Sequence, residues 1–228
     1  MENALLIRPV AHIRTDFSDK FGIPRQSGRV PALMGKIVFE PEFRDPEALR
    51  GIEEFSHLWL LFDFSQSHRD SWSPTVRPPR LGGNKRIGVF ATRSPFRPNP
   101  IGLSCVKLEK IEHSAKEGTV LIVSGVDLLD NTPILDIKPY IPYADCRPEA
   151  TGSFAEEQKD YRLEVKFPSP LLELVPEDKR EAAMACLADD PRPSYQQDEE
   201  RVYSMRFAEC DIHFTVSGTT LTVTGVDV

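Results

Sequence analysis

Cysteine is scarce in this chain of 228 residues, and the four it carries, Cys105, Cys146, Cys186 and Cys210, lie far apart with no C-x-x-C pair. That spacing argues against structural zinc and against thioredoxin-like chemistry, and metal ligation is not expected. Cys105, inside an apolar strand-like run, reads as a small buried hydrophobe. Long apolar runs are missing as well. The first one stops after four residues, at Arg8, too short for a signal peptide, and nowhere do about eighteen apolar residues follow one another. A soluble, cytoplasmic protein with no membrane partner is the expectation. The common catalytic signatures are absent: no P-loop, no H-E-x-x-H and no G-x-S-x-G. Gly82, Gly83 and Gly88 do not form G-x-G-x-x-G, and no crossover helix follows them, which argues against a Rossmann dinucleotide fold. With no nucleophile–base pair in sight, hydrolysis is the least supported chemistry.

What is present is ordinary in bulk and uneven in distribution. At 40% hydrophobic and 28% charged, the chain belongs with globular proteins, and its length suits one large domain or two small ones. Twenty prolines imply many turns and short elements. The net charge is −7, yet from Arg69 to Lys107 there are eight basic residues and one acid, Asp70. That segment is +7, so the remaining chain carries −14. Six of the eight cations are arginine, which favours a surface for RNA or another anion over a merely solvated face. At its centre, Leu81 to Leu103 opens on Gly82-Gly83 and enters a loop holding Pro95, Pro98 and Pro100 with Arg93, Arg97 and Asn99. Proline fixes φ, so two guanidiniums are presented on a stiff loop, prepared for a carboxylate or a base edge.

Read in order, the chain gives short strands with turn signals between them: Leu5 to Ile13, Gly35 to Glu40, and His57 to Phe64 as a continuous apolar strand. Ile101 to Ile111, Thr119 to Val126 and Ile134 to Lys138 follow. Ser65 to Lys85 is a connection longer than usual, hence functional or mobile. From about Cys146 the texture turns small and polar, which sets a boundary between residues 1–148 and 149–228. The second part holds a strand from Tyr161 to Phe167 and a helical stretch from Pro170 to Leu187, broken at Pro176. There Leu171, Leu174, Val175, Met184 and Leu187 are expected in the core. Three final strands follow, with Ser217-Gly218 as the last hairpin turn. The predicted fold is mainly β, a barrel followed by a small α+β C-terminal domain.

Four segments in matching order resemble the TsaA-like, TrmO-type tRNA methyltransferases. They are Phe21-Gly-Ile-Pro-Arg-Gln26, Phe55-Ser-His-Leu-Trp-Leu-Leu-Phe62, the run from Arg77 to Gly102, and Asp127-Leu-Leu-Asp130 with Asp136-Ile-Lys-Pro-Tyr140. Asp190-Pro-Arg-Pro-Ser-Tyr195 resembles the appendage of the longer bacterial members. The resemblance implies a non-Rossmann β-barrel methyltransferase, a homodimer that uses S-adenosylmethionine. It would act on the exocyclic amine of threonylcarbamoyladenosine at position 37 of the tRNA anticodon loop. Carried over by position, the cofactor would meet Pro24, Arg25, Gln26, Ser65, Gln66, Arg93, Leu103 and the turn Asp127, Leu128, Leu129 and Asp130. Where some relatives carry histidine this chain has Ser65, which cannot carry a proton as an imidazole does.

The chemistry agrees with the residue types. Methyl transfer from a sulfonium needs chiefly positioning, for which good orientation is worth roughly 7–11 kcal/mol. An adenine amine is a poor nucleophile, and acceptors for its N–H help to localise its lone pair. Asp127, Asp130 and Asn99 are the candidate catalytic acceptors; for the two aspartates plain turn chemistry is an equal alternative. Arg25 or Arg93 suits a carboxylate, while Phe96 or Tyr140 suits stacking on a base. A non-catalytic barrel that holds S-adenosylmethionine or RNA remains the alternative.

Overall fold

The computed structural model describes residues 5–78, 85–193 and 198–228. Strands β1 (Ala11–Arg14), β2 (Met34–Phe39), β3 (His57–Asp63), β6 (Ile101–Ser114), β7 (Gly118–Ser124) and β8 (Thr132–Pro139) pair in the order β1-β2-β7-β6-β3-β8. β8 then returns to β1, with Ile134 opposite Ala11, so the six strands close into a barrel. Every pairing in it is antiparallel and no crossover helix is present among the described residues. A mainly β, non-Rossmann fold is what the sequence pattern predicts. The short pair β4 (Thr75–Val76) and β5 (Ile87–Gly88) lies within the long connection from β3 to β6.

Alternation explains the barrel. In β6, Gly102, Ser104 and Val106 point inward and are buried, while Ile101 and Leu103 face outward and are exposed. Of the two arrangements its apolar run allows, burial on both faces or a place in a barrel, β3 takes the second. Leu58, Leu60 and Phe62 fill the interior, whereas His57, Trp59, Leu61 and Asp63 are half-buried on the outer face. Tyr140 covers that face, its ring 5.7 Å from Trp59. Cys105 also lies on the outer face, half-buried rather than in the core. β1 starts at Ala11, not Leu5, because Pro9 has no N–H to give; the first bond to β8 is Val10 N–H to the Ile134 carbonyl, 2.7 Å.

Beyond α1 (Pro142–Asp145) come β9 (Glu164–Lys166), α2 (Ser169–Leu172), α3 (Arg180–Ala188), β10 (Tyr203–Phe207), β11 (Cys210–Ser217) and β12 (Thr220–Asp227). The last strands form a sheet ordered β10-β11-β12-β9, with β9 parallel to β12. The helical stretch does break at Pro176, and Val175 and Leu187 are fully buried. Leu174 is exposed instead, since α2 ends at Leu172 and takes it off the apolar face.

This sheet packs on the loop between β1 and β2. Phe17 meets Phe207 at 5.2 Å, and Phe21 lies over Tyr203 and Phe214. Gly22 takes a left-handed φ of 94°, and a Cβ there would stand 2.5 Å from the Met205 side chain, so only glycine allows this approach. Buried Asp189, just after α3, accepts from Arg29 Nε at 2.6 Å and pairs with Arg162 at 3.1 Å. Lys179 reaches Asp16 at 2.7 Å.

Candidate active site

Because neighbouring strands run in opposite directions, three connections emerge at one end of the barrel: residues 15–33 after β1, 64–100 after β3, and 125–131 after β7. They are tied to one another. Phe64 N–H donates to the Pro100 carbonyl (2.8 Å), Lys20 Nζ to the Gln66 carbonyl (3.0 Å), and Gly28 N–H to the Gly125 carbonyl (2.9 Å). Gly125 has φ 73° with the Gly28 backbone 3.3 Å from where a Cβ would stand, so the two turns touch through glycine. β6 runs past the end of β7, and the loop fills in beside it: Cys105 N–H donates to Ser27 Oγ at 3.1 Å. The chain thus places at this end every segment that carries a residue predicted to hold the cofactor or accept the proton.

Asp127 is the most perturbed group there. Ser104 Oγ, buried inside the barrel, donates to its Oδ1 at 2.5 Å. Burial raises the Asp127 carboxyl from its ordinary 3.8 to about 6. The Ser104 bond, backbone N–H groups at Asp127 and Ser27, and the Arg93 charge all oppose that rise without cancelling it. Arg93 is exposed and donates through Nη1 to Gln26 Oε1. Gln26, Arg93 and Asp127 therefore form one group with both signs of charge.

The other predicted residues are placed differently. Asp130 accepts from Thr15 N–H at 2.9 Å, and its own N–H donates to the Phe17 carbonyl at 2.8 Å, which ties the 127–130 turn to the end of β1. Leu128 is buried, its carbonyl taken by Thr15 Oγ1 at 3.0 Å; Leu129 accepts from Thr132 Oγ1 at 2.7 Å. Both leucines hold the turn through their backbone. Pro24 is buried, and Ser65 and Gln66 are exposed just beyond β3. Leu103 faces outward, on the opposite face of β6 from the inward Ser104 that holds Asp127. Arg25 reaches toward the C-terminal unit. It donates to the Arg192 carbonyl at 3.2 Å and lines a cleft of about 320 Å³ with Lys20, Asp189 and Asp190.

In the proline loop, Arg97 donates to the carbonyls of Thr92 (3.0 Å) and Ser94 (3.3 Å), so it staples the loop. Asn99 is exposed, with its carbonyl on Ile101 N–H at 2.8 Å. Tyr140 lies at the opposite end of the barrel, its N–H on the His57 carbonyl, so a base at this site would not meet it. Gly82 and Gly83 fall outside the described residues. Sequence reasoning missed Ser104 and Ser27. Ser104 did leave a trace, a hydroxyl at an inward position of an otherwise apolar alternation.

Fold and site define a closed antiparallel barrel whose one end offers a cation, a carboxylate and an amide to a small charged ligand. The models of the tRNA-methyltransferase O N-terminal domain and C-terminal domain match residues 12–146 and 160–228. The chain belongs to the tRNA-methyltransferase O family. It is 41% identical to the tRNA (adenine(37)-N6)-methyltransferase of Escherichia coli over 213 residues, 90% of each chain. A Pseudomonas aeruginosa protein, provisionally named S-adenosylmethionine-dependent methyltransferase RcsF, is 42% identical over 223 residues, 91% of each. A crystal structure of TrmO from Pseudomonas aeruginosa superposes with a TM-score of 0.80 at 35% identity, covering 99% of this chain and all of that one.

Proposed function

We propose that this S-adenosylmethionine-dependent tRNA methyltransferase acts on the exocyclic nitrogen of threonylcarbamoyladenosine at position 37 of the anticodon loop, with Asp127 as the proton acceptor. The N6 of adenine 37 is the position named for its relatives; the threonylcarbamoyl group on that nitrogen is the substrate feature we add. The donor set fits the cofactor. S-adenosylmethionine supplies an electrophilic methyl on a sulfonium, and its other polar groups are a carboxylate, an ammonium and a ribose diol. Arg93, held by Gln26, suits the carboxylate, and the carboxylates at the 127–130 turn suit the ammonium or the diol.

Asp127 carries the reading. A carboxyl raised to about 6 by burial is a better base than an ordinary aspartate and is still ionised at neutral pH. It would accept the hydrogen bond of the acceptor N–H and take the proton as the nitrogen–carbon bond forms. Ser104 fixes its orientation. Asp130 and the two leucines keep the turn in register, and Asn99, exposed on the proline loop, would serve as a second acceptor. Pro24, Ser65 and Gln66, on the loops beside it, would line the cofactor.

Residues 1–148 would form the catalytic unit and 149–228 a smaller unit that contributes to tRNA binding. The protein would work as a homodimer in the cytoplasm. Purified protein with labelled S-adenosylmethionine and tRNA from cells lacking it should incorporate label only into tRNA that carries the threonylcarbamoyl group. Equal labelling of tRNA without that group overturns the substrate assignment. Cofactor binding with no labelled product points to a non-catalytic module.

A further inference from the structure

The connection from β3 to β6 exposes three large aromatic rings. Phe90 is 74% exposed, Trp72 53% and Phe96 39%. They are not scattered. The Trp72 and Phe90 ring centroids are 6.3 Å apart at 36°, the Arg97 guanidinium stands 6.0 Å from the Phe90 centroid, and Phe96 is the residue before Arg97. The Arg69 guanidinium lies 3.7 Å over the Phe96 ring. The result is a continuous ridge, Trp72–Phe90–Arg97–Phe96–Arg69, of alternating π-faces and planar cations. Arg97 is held by the Thr92 and Ser94 carbonyls, and prolines stand at 95, 98 and 100, so the ridge is formed before a partner arrives. Its loop is the same one that presents Arg93 to the Asp127 group.

We propose that this ridge is a stacking platform for unpaired bases of a single-stranded RNA loop, the part of the enzyme that reads the loop flanking the target nucleotide. The inference rests on the tRNA methyltransferase reading. Its chemistry is that of sequence-tolerant single-strand binding: every base has a π-face, aromatic rings stack on it, and guanidiniums both stack and meet the phosphates. Charge decides between RNA and a second copy of the chain. The segment from Arg69 to Lys107 is +7, with Asp70 its one acid. A twofold contact centred on this ridge would set like charge against like, whereas a polyanion complements it.

The test uses the full-length protein and a short fluorescent anticodon stem–loop, with a hairpin-free duplex of similar length as control. Phe90→Ala and Trp72→Ala are each expected to weaken stem–loop binding about tenfold, the loss of one stacked base. Binding of the duplex, affinity for S-adenosylmethionine, melting temperature and sedimentation coefficient should not move, and Phe90→Tyr should retain affinity. Tryptophan emission should be quenched on adding stem–loop, and that quenching should vanish in Trp72→Phe. Unchanged stem–loop affinity in both alanine variants overturns the ridge while leaving methyl transfer intact. A smaller sedimenting species in either variant overturns it too, because the rings would then belong to a contact between copies. Wild-type protein that methylates no tRNA under any condition refutes the enzyme reading itself, a distinct result.

Discussion

Asp127→Asn keeps the shape of the side chain and an oxygen that can accept from Ser104 Oγ, and removes only the ionisation. In the folded protein burial raises this carboxyl from 3.8 to about 6. A folded value above the unfolded one means the folded state holds the proton more tightly. The stability this contributes is fully present below about pH 4 and is lost as pH rises through about 6. A rise of about two units corresponds to about 3 kcal/mol. Relative to wild type, Asp127→Asn should therefore be more stable at pH 7.5, by up to about 3 kcal/mol, and little different at pH 4. For a chain of this size that is a melting shift of roughly 6–12 °C. Urea unfolding of both proteins at the two pH values measures it. In the same variant methyl transfer should fall by about two to four orders of magnitude, the range for a lost general base. The wild-type rate should rise with pH through an apparent value near 6. A stability difference that is the same at both pH values, or an Asn variant less stable at pH 7.5, refutes the placement of an ionised, desolvated carboxylate here.

Three other substitutions separate site from scaffold. Arg93→Ala should weaken S-adenosylmethionine binding by about tenfold or more in calorimetry, the loss of a charged hydrogen bond, with stability within about 0.5 kcal/mol of wild type because the side chain is exposed; a large fall in melting temperature without ligand would mark it as structural. Asp189→Asn leaves the Arg29 and Arg162 guanidiniums without their buried carboxylate and should cost about 3–5 kcal/mol in urea unfolding. Gly102→Ala puts a Cβ into the Phe62 ring inside the barrel, and should cost about 1–3 kcal/mol by denaturation while leaving the 64–100 loop chemically unchanged.

How much of this was legible in the chain depended on the range of the interaction. Strand alternation is local, so β6, β7 and the β10–β12 meander could be read from spacing alone, and so could the helix break at Pro176. Strand ends were less legible, because β1 begins where a partner carbonyl on β8 becomes available, not where the apolar run begins. The site residues divide in the same way. That the 127–130 turn and the proline loop bear carboxylates, guanidiniums and an amide suited to a site follows from their residue types. Which side chains converge follows from three loops leaving one barrel end, which no single segment encodes. Arg25 and Gln26 are neighbours in sequence, yet one turns to Arg192 in the C-terminal unit and the other to Arg93. Arg93 and Arg97 look equivalent on their loop. The backbone turn, by aiming the Thr92 and Ser94 carbonyls at Arg97, makes one a staple, while the other reaches out of the loop to Gln26.

Ser104 shows what such a reading can still gain. An inward hydroxyl in a barrel strand needs a partner, because burying it unpaired would cost about 1–3 kcal/mol. The nearest turn rich in acceptors on the next strand along the ring is the one that follows β7. The serine at the inward beat of β6 finds its acceptor at the start of that turn, in the carboxylate of Asp127.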